Sequence, residues 1–134
     1  MKLIDASVAV KFALDEEGSK PARALGRDAL VAPDLILVET ANAWWKALRC
    51  EVLTVADYSA AVASLASLFD ALYPLDPVLD EAARMARELD HPVYDCIYLA
   101  YARKLERPLV TADQRLLNKV GGTSFQSLCE PLPR

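Results

Sequence analysis

Four acids stand where they could do chemistry. Asp5 follows the apolar opening Leu3-Ile4, and Asp113 follows Leu109-Val110-Thr111, so each would end a short buried strand. Glu39 and Asp95 lie instead in helical stretches nearly free of other charge. Glu39 is the only charged residue in 35–45, and its neighbours three and four positions away, Leu35, Ile36, Asn42 and Ala43, include no cation. A carboxylate on such a face must reach solvent, find a distant Arg or Lys, or coordinate metal, because unpaired burial is costly. Asp95 has the same setting within 94–102. Each acid also has an ordinary explanation. Asp before a helix commonly caps it, which covers Asp5 and Asp113. An acid in the first turn meets a favourable helix dipole, which covers Asp95. Snorkelling to water covers Glu39.

Taken together, the four form an oxygen-only set suited to a hard divalent cation such as Mg²⁺ or Mn²⁺. Gathered at close range, they would repel one another and raise their own pKa values unless a cation compensated. His91 is the only histidine, which excludes a metal-free histidine acid–base pair and a histidine-rich metal site. Cys50, Cys96 and Cys129 are odd in number and scattered, so they offer neither a disulfide framework nor a zinc site, and packed, reduced thiols are expected. The net charge of −4 argues against a broad basic surface for nucleic acid. Setting the four acids aside leaves fifteen Asp and Glu against fifteen Lys and Arg. The whole negative excess could therefore sit at one site.

The elements that must position these acids alternate between strand and helix. Residues 2–6 read as a strand, followed by helices at 7–14 and 19–27 and a brief strand at 30–32. Asp34 is placed to cap a helix reaching Arg49, and Thr54 with Asp57 to open one reaching about Asp70. A strand at 72–75, a helix from Asp76-Pro77 to Leu89, a turn at 90–92 and a helix over 94–106 come next. A strand at 108–111, a helix over 113–120 and a last strand at 125–128 complete the chain. This alternation predicts an α/β fold, a three-layer α/β/α sandwich with a parallel sheet of about five strands, formed as one domain over 1–134. In such folds ligands bind at the carboxyl ends of strands near a topological switch point, where Asp5 and Asp113 would lie. More than half the residues are apolar, so some apolar surface is expected to meet a partner or a second copy. No apolar run is long enough to span a membrane, and the early Asp5 is unlike a signal peptide, so a cytoplasmic location is expected.

Four segments resemble one family, the PIN domain, and within it the VapC-like toxin branch. They are Ile4-Asp5-Ala6-Ser7-Val8, Pro33-Asp34-Leu35-Ile36-Leu37-Val38-Glu39-Thr40-Ala41-Asn42-Ala43, Val93-Tyr94-Asp95-Cys96-Ile97-Tyr98-Leu99-Ala100 and Leu109-Val110-Thr111-Ala112-Asp113-Gln114-Arg115-Leu116. They occur in the family's order across almost the whole chain. The resemblance implies a Mg²⁺- or Mn²⁺-dependent endoribonuclease, a homodimer and a VapB-like antitoxin partner. It aligns Asp5, Glu39, Asp95 and Asp113 with the family's acidic quartet. Thr111 matches its Ser/Thr two residues before the last acid, and Ser7 its small polar position after the first. His91 matches no functional position and reads as a loop residue.

The expected chemistry is hydrolysis of an RNA phosphodiester by a metal-activated water. Asp5 and Asp95 are the first choices as ligands, with Asp113 assisting and Glu39 positioning metal or water. Thr111 could hydrogen-bond to a ligand, although a β-branched strand residue needs no such reason. Lys11 and Arg115 could hold flanking phosphates, or be solvated charges. Of the adjacent Trp44 and Trp45, one is expected in the core and one at a partner interface. Two alternatives remain: a Mg²⁺-dependent phosphotransfer domain of the receiver kind, in which Glu39 would have no role, and a non-catalytic domain of the same fold.

Overall fold

A computed structural model describes residues 1–134. Five short strands, β1 (Lys2–Ile4), β2 (Leu30–Pro33), β3 (Ala71–Tyr73), β4 (Leu109–Thr111) and β5 (Cys129–Pro131), pair in parallel in the order β3-β2-β1-β4-β5. The inner strands are apolar for a geometric reason. Helices lie over both faces of such a sheet, so neither alternate set of side chains has water to point at. Leu3, Ile4, Leu30, Val31, Leu109 and Val110 are all buried accordingly. The expected three-layer parallel α/β architecture is the one the chain adopts. Its edge strands are three residues long and less buried, and Pro131 is tolerated in β5, which pairs on one side only.

The helices are α1 (Ala6–Ala9), α2 (Ser19–Leu25), α3 (Leu35–Arg49), α4 (Val55–Ser64), α5 (Leu79–Leu89), α6 (Val93–Leu105) and α7 (Gln114–Val120). On α3, Ile36, Thr40 and Trp44 recur every four residues and form its buried stripe. α6 is buried on every side from Cys96 to Ala102, because it packs against α5 and also against β2 and β4. The turn between α3 and α4 carries a separate small core of Trp44, Leu53 and Leu65, and the Trp44 indole Nε1 donates to Val10 O at 3.0 Å. Its neighbour Trp45 is exposed, with the Arg49 guanidinium 5.1 Å from its ring centroid. No helix is long and apolar enough to cross a membrane.

Three local expectations change. The helix opened by Thr54, which does cap by accepting from Asp57 N, stops at Ser64 rather than about Asp70 and tightens into a 3₁₀ turn (Ala66–Leu68). Asp70 then leaves the helix to accept from Leu30 N, tying the start of β2 to the edge of the sheet. Asp34 makes no side-chain cap on α3. The last strand is Cys129–Pro131, not 125–128. Phe125 is instead buried beneath Arg103, and residues Gln126–Leu128 form a 3₁₀ turn. The strand that does pair with β4 contains Glu130 and Pro131, residues of low strand propensity, and tertiary pairing overrides that preference.

Candidate active site

β1 and β4 are neighbours in register, with Ile4 opposite Val110. Their carboxyl ends therefore bring Asp5 beside Thr111, at the point where the sheet order reverses direction. Asp5 is almost fully buried, and both its oxygens are occupied. Ser7 Oγ donates to Oδ1 and Thr111 Oγ1 to Oδ2. The direction of those bonds follows from what the hydroxyls receive. Ser7 Oγ accepts from Ala112 N at 2.9 Å and Thr111 Oγ1 from Asp113 N at 3.0 Å, and a backbone N–H can only donate. Each hydroxyl hydrogen is thus free for Asp5, and the loop after β4 is stitched to the end of β1.

Burial is the largest influence on Asp5. Burial, joined by the nearby Asp95 charge, raises the carboxyl from 3.8 to about 6 against the lowering effect of hydrogen bonds from Ser7, Thr111 and Val8 N. Glu39 comes in from α3. Its carboxyl is also raised, first by burial and then by Asp95, while a hydrogen bond from Tyr98 opposes the shift. The Tyr98 phenol donates to Glu39 Oε1 at 2.6 Å. The sequence alone offers solvent, a distant cation or a metal to an isolated acid on an apolar helix, whereas the partner here is a buried phenol. Tyr98 lies one turn after Asp95 on α6, so one helix supplies both an acid and the group that holds a second acid. The Asp95 carboxylate raises both Asp5 and Glu39, which places the three within electrostatic reach of one another.

The ordinary roles are present as well. Asp5 caps α1 weakly through Val8 N at 3.3 Å. Asp113 caps α7, its Oδ1 accepting from Arg115 N at 2.9 Å and Leu116 N at 3.3 Å. Asp113 joins the other acids through the backbone and Thr111 rather than by a side-chain contact. Lys11 is not free over the site: its Nζ donates to Glu16 Oε1 at 3.0 Å and to Glu17 O at 2.7 Å. Arg115 is exposed on α7 and makes no ion pair. Cys129 and Cys96 are near the acids, with thiols pushed up to about 12 and about 11, chiefly by burial. Cys50 is exposed, contrary to the expectation of packed thiols throughout. His91 lies in the turn before α6 as expected, yet its Nε2 is 2.6 Å from Asp95 Oδ2. The four-residue spacing is the signal in the sequence that could have found this contact.

No three of the chain's acids, cysteines and histidine converge tightly enough to enclose a cation by themselves. The donor chemistry nevertheless suits a hard divalent ion. Asp5, Asp95 and Glu39 are all oxygen donors, none is paired with Lys or Arg, and Asp5 is raised first by burial and then by the Asp95 charge. Beside Thr111 and Ala112 opens a groove of about 1030 Å³, with Lys11, Gln114 and Arg134 also on its walls.

The sequence model of the PIN domain matches residues 2–122. Ribonuclease VapC3 of Pyrobaculum aerophilum is 35% identical over 124 residues, covering 89% of this chain and 95% of that protein. Exonuclease VapC9 of the same organism is 36% identical over 97 residues, covering 72% of this chain and 71% of that protein. The crystal structure of PAE2754 from Pyrobaculum aerophilum superposes with a TM-score of 0.71 at 30% identity, covering 91% of this chain and 81% of its own.

Proposed function

The chain belongs to the PIN-domain family, and from that premise we propose that it is a Mg²⁺- or Mn²⁺-dependent endoribonuclease, the toxin of a VapBC-type pair. The observation that carries this reading is the group Asp5, Asp95 and Glu39 near the carboxyl ends of β1 and β4, in which the Asp95 charge raises both other acids and none has a Lys or Arg partner. Asp5 and Asp95 would hold the cation, assisted by the Asp113 oxygen not used in capping. When bound, the cation supplies positive charge for the phosphoryl oxygens and acidifies the attacking water. Ser7 and Thr111 fix both oxygens of Asp5, so it cannot swing away when the cation is absent. Tyr98 fixes one oxygen of Glu39, and the other orients the attacking water. The groove beside Thr111 does not include the four acids in its walls and would hold a flanking stretch of RNA, with Arg134 on its wall to meet a phosphate.

Exposed Trp45, Val52 and Val55 near the α3–α4 turn are apolar surface for a second copy in a homodimer, while a VapB-like antitoxin blocks the site. The phosphotransfer alternative needs an exposed nucleophilic carboxylate. Asp5 is buried with both oxygens engaged and does not meet that need, and Glu39 would have no role in such a reaction.

The test is a circular RNA, which only an endonuclease can open. Cleavage should require Mg²⁺ or Mn²⁺, stop with EDTA, resume on metal addition and disappear in Asp5→Asn. Near-wild-type turnover by Asp5→Asn at saturating metal would sink the proposal. Attack on linear RNA alone would replace it with an exonuclease.

A further inference from the structure

We propose that His91 is a positioning residue for Asp95, its Nε2–H holding Oδ2 of the carboxylate so that Oδ1 is the oxygen offered to a divalent cation. This rests on the metal-dependent reading of the site.

The two atoms are 2.6 Å apart, with side-chain exposures of 13% for His91 and 27% for Asp95, so water competes only partly for the contact. A carboxylate can only accept, which places a hydrogen on Nε2. The turn itself does not need the imidazole. Asp90 adopts a left-handed conformation with φ 53° and closes α5 through the Ala86 carbonyl, His91 N also donates to Ala86 O at 3.1 Å, and Pro92 has its φ fixed by its ring. Nor is Asp95 spent on its own helix. α6 is preceded by Pro92, which provides no side-chain cap, and Asp95 accepts no backbone N–H in the first turn. The ring and the carboxylate are thus committed to each other and not to the fold around them. Asp95 is also the acid whose charge reaches both Asp5 and Glu39, so its orientation bears on the whole group. A histidine donating to a ligating carboxylate is the kind of outer contact that typically changes metal affinity by about 10–100-fold when removed.

The experiment is Mn²⁺ titration by calorimetry on the full chain, with thermal melts in metal-free buffer. His91→Gln and His91→Met have side chains of equal length, and only the glutamine can donate. His91→Met should bind Mn²⁺ about 10–100-fold more weakly than wild type, His91→Gln should recover most of the loss, and metal-free melting should be nearly the same for all three. Equal Mn²⁺ affinity in His91→Met and wild type would overturn the proposal. So would a loss that His91→Gln does not recover, or one matched by a collapse in metal-free stability, which would make His91 a clamp on the turn. If His91→Met does not fold, His91→Leu against His91→Gln makes the same comparison. Failure of wild type itself to bind Mn²⁺ would bring down the metal reading, and this inference with it, a result distinct from those three.

Discussion

Asp5→Asn should leave the metal-free protein at least as stable as wild type at neutral pH and remove part of its dependence on pH. The wild-type carboxyl is raised from 3.8 to about 6 because burial outweighs three hydrogen bonds. The folded chain therefore holds this proton more tightly than the unfolded one. Acid favours folding through this group: its contribution is complete below the unfolded value and lost as pH rises through the folded one. An ionised Asp5 then costs about 3 kcal/mol at neutral pH. Between about pH 7.5 and about pH 5 the wild type should recover about 1.4 kcal/mol through this group. That is about 4–6 °C in melting temperature for a chain of this size. Asparagine removes the charge but replaces one oxygen with an amide, so Ser7 or Thr111 loses an acceptor and must turn. The net gain at neutral pH is therefore about 1–3 kcal/mol at most. Denaturant melts in EDTA across this pH range, wild type against Asp5→Asn, give the comparison. Glu39 is raised as well and adds a slope of the same sign, but it is present in both proteins and cancels in the difference. A variant destabilised by more than about 1 kcal/mol that keeps the wild-type pH slope would refute the reasoning and leave Asp5 as a helix cap.

Tyr98→Phe should cost about 1.5–3 kcal/mol at neutral pH, since it strands a half-buried carboxylate, and less in a Glu39→Gln background; a double-mutant cycle by chemical denaturation measures the difference. Glu39→Gln alone should lose RNA cleavage while melting at the wild-type temperature or above in metal-free buffer. Thr40→Val should raise stability by about 1–2 kcal/mol, because Thr40 Oγ1 is buried on α3 without a hydrogen-bond partner; unchanged or lower stability would mean the hydroxyl is satisfied. Mn²⁺ at about one hundred times its dissociation constant should add about 2.7 kcal/mol, reversed by EDTA and absent in Asp95→Asn. Light scattering should find a dimer at micromolar concentration, and a strict monomer would count against the α3–α4 surface as a self-contact.

The layers of this fold were legible because burial on both faces leaves a parallel strand no choice but to be apolar, and the acids that end β1 and β4 mark where those runs stop. The site was legible from the same contrast. Glu39 and Asp95 are conspicuous because the helices around them carry so little other charge. Propensity failed where pairing decided the outcome. Cys129–Pro131 is a strand because β4 needs a partner on its open side, while the more apolar 125–128 turns so that Phe125 can be buried. Proximity in sequence suggests Lys11 for the site, but the loop that follows it supplies Glu16 and the Glu17 carbonyl to hold its ammonium.

What the sequence could not display is how each acid is held. A list of neighbours three and four residues away finds partners only on the same helix, whereas Tyr98 meets Glu39 from 59 positions along the chain. The phenol nonetheless sits one turn from Asp95, on the face of α6 that must point at the site if Asp95 does. The periodicity that selects the acid therefore also selects a hydroxyl able to reach its neighbours. His91 follows a related rule from outside the helix. Because a capping side chain ordinarily reaches from the helix start to its third residue, a side chain one position earlier can reach that residue too if the turn is tight. The left-handed Asp90 and the fixed Pro92 make it so here, and Asp95 is that third residue. An isolated acid on an apolar helix thus poses two questions, what it binds and what orients it. The second is answered by scanning polar groups one turn away and just before the helix start, not only by looking for cations.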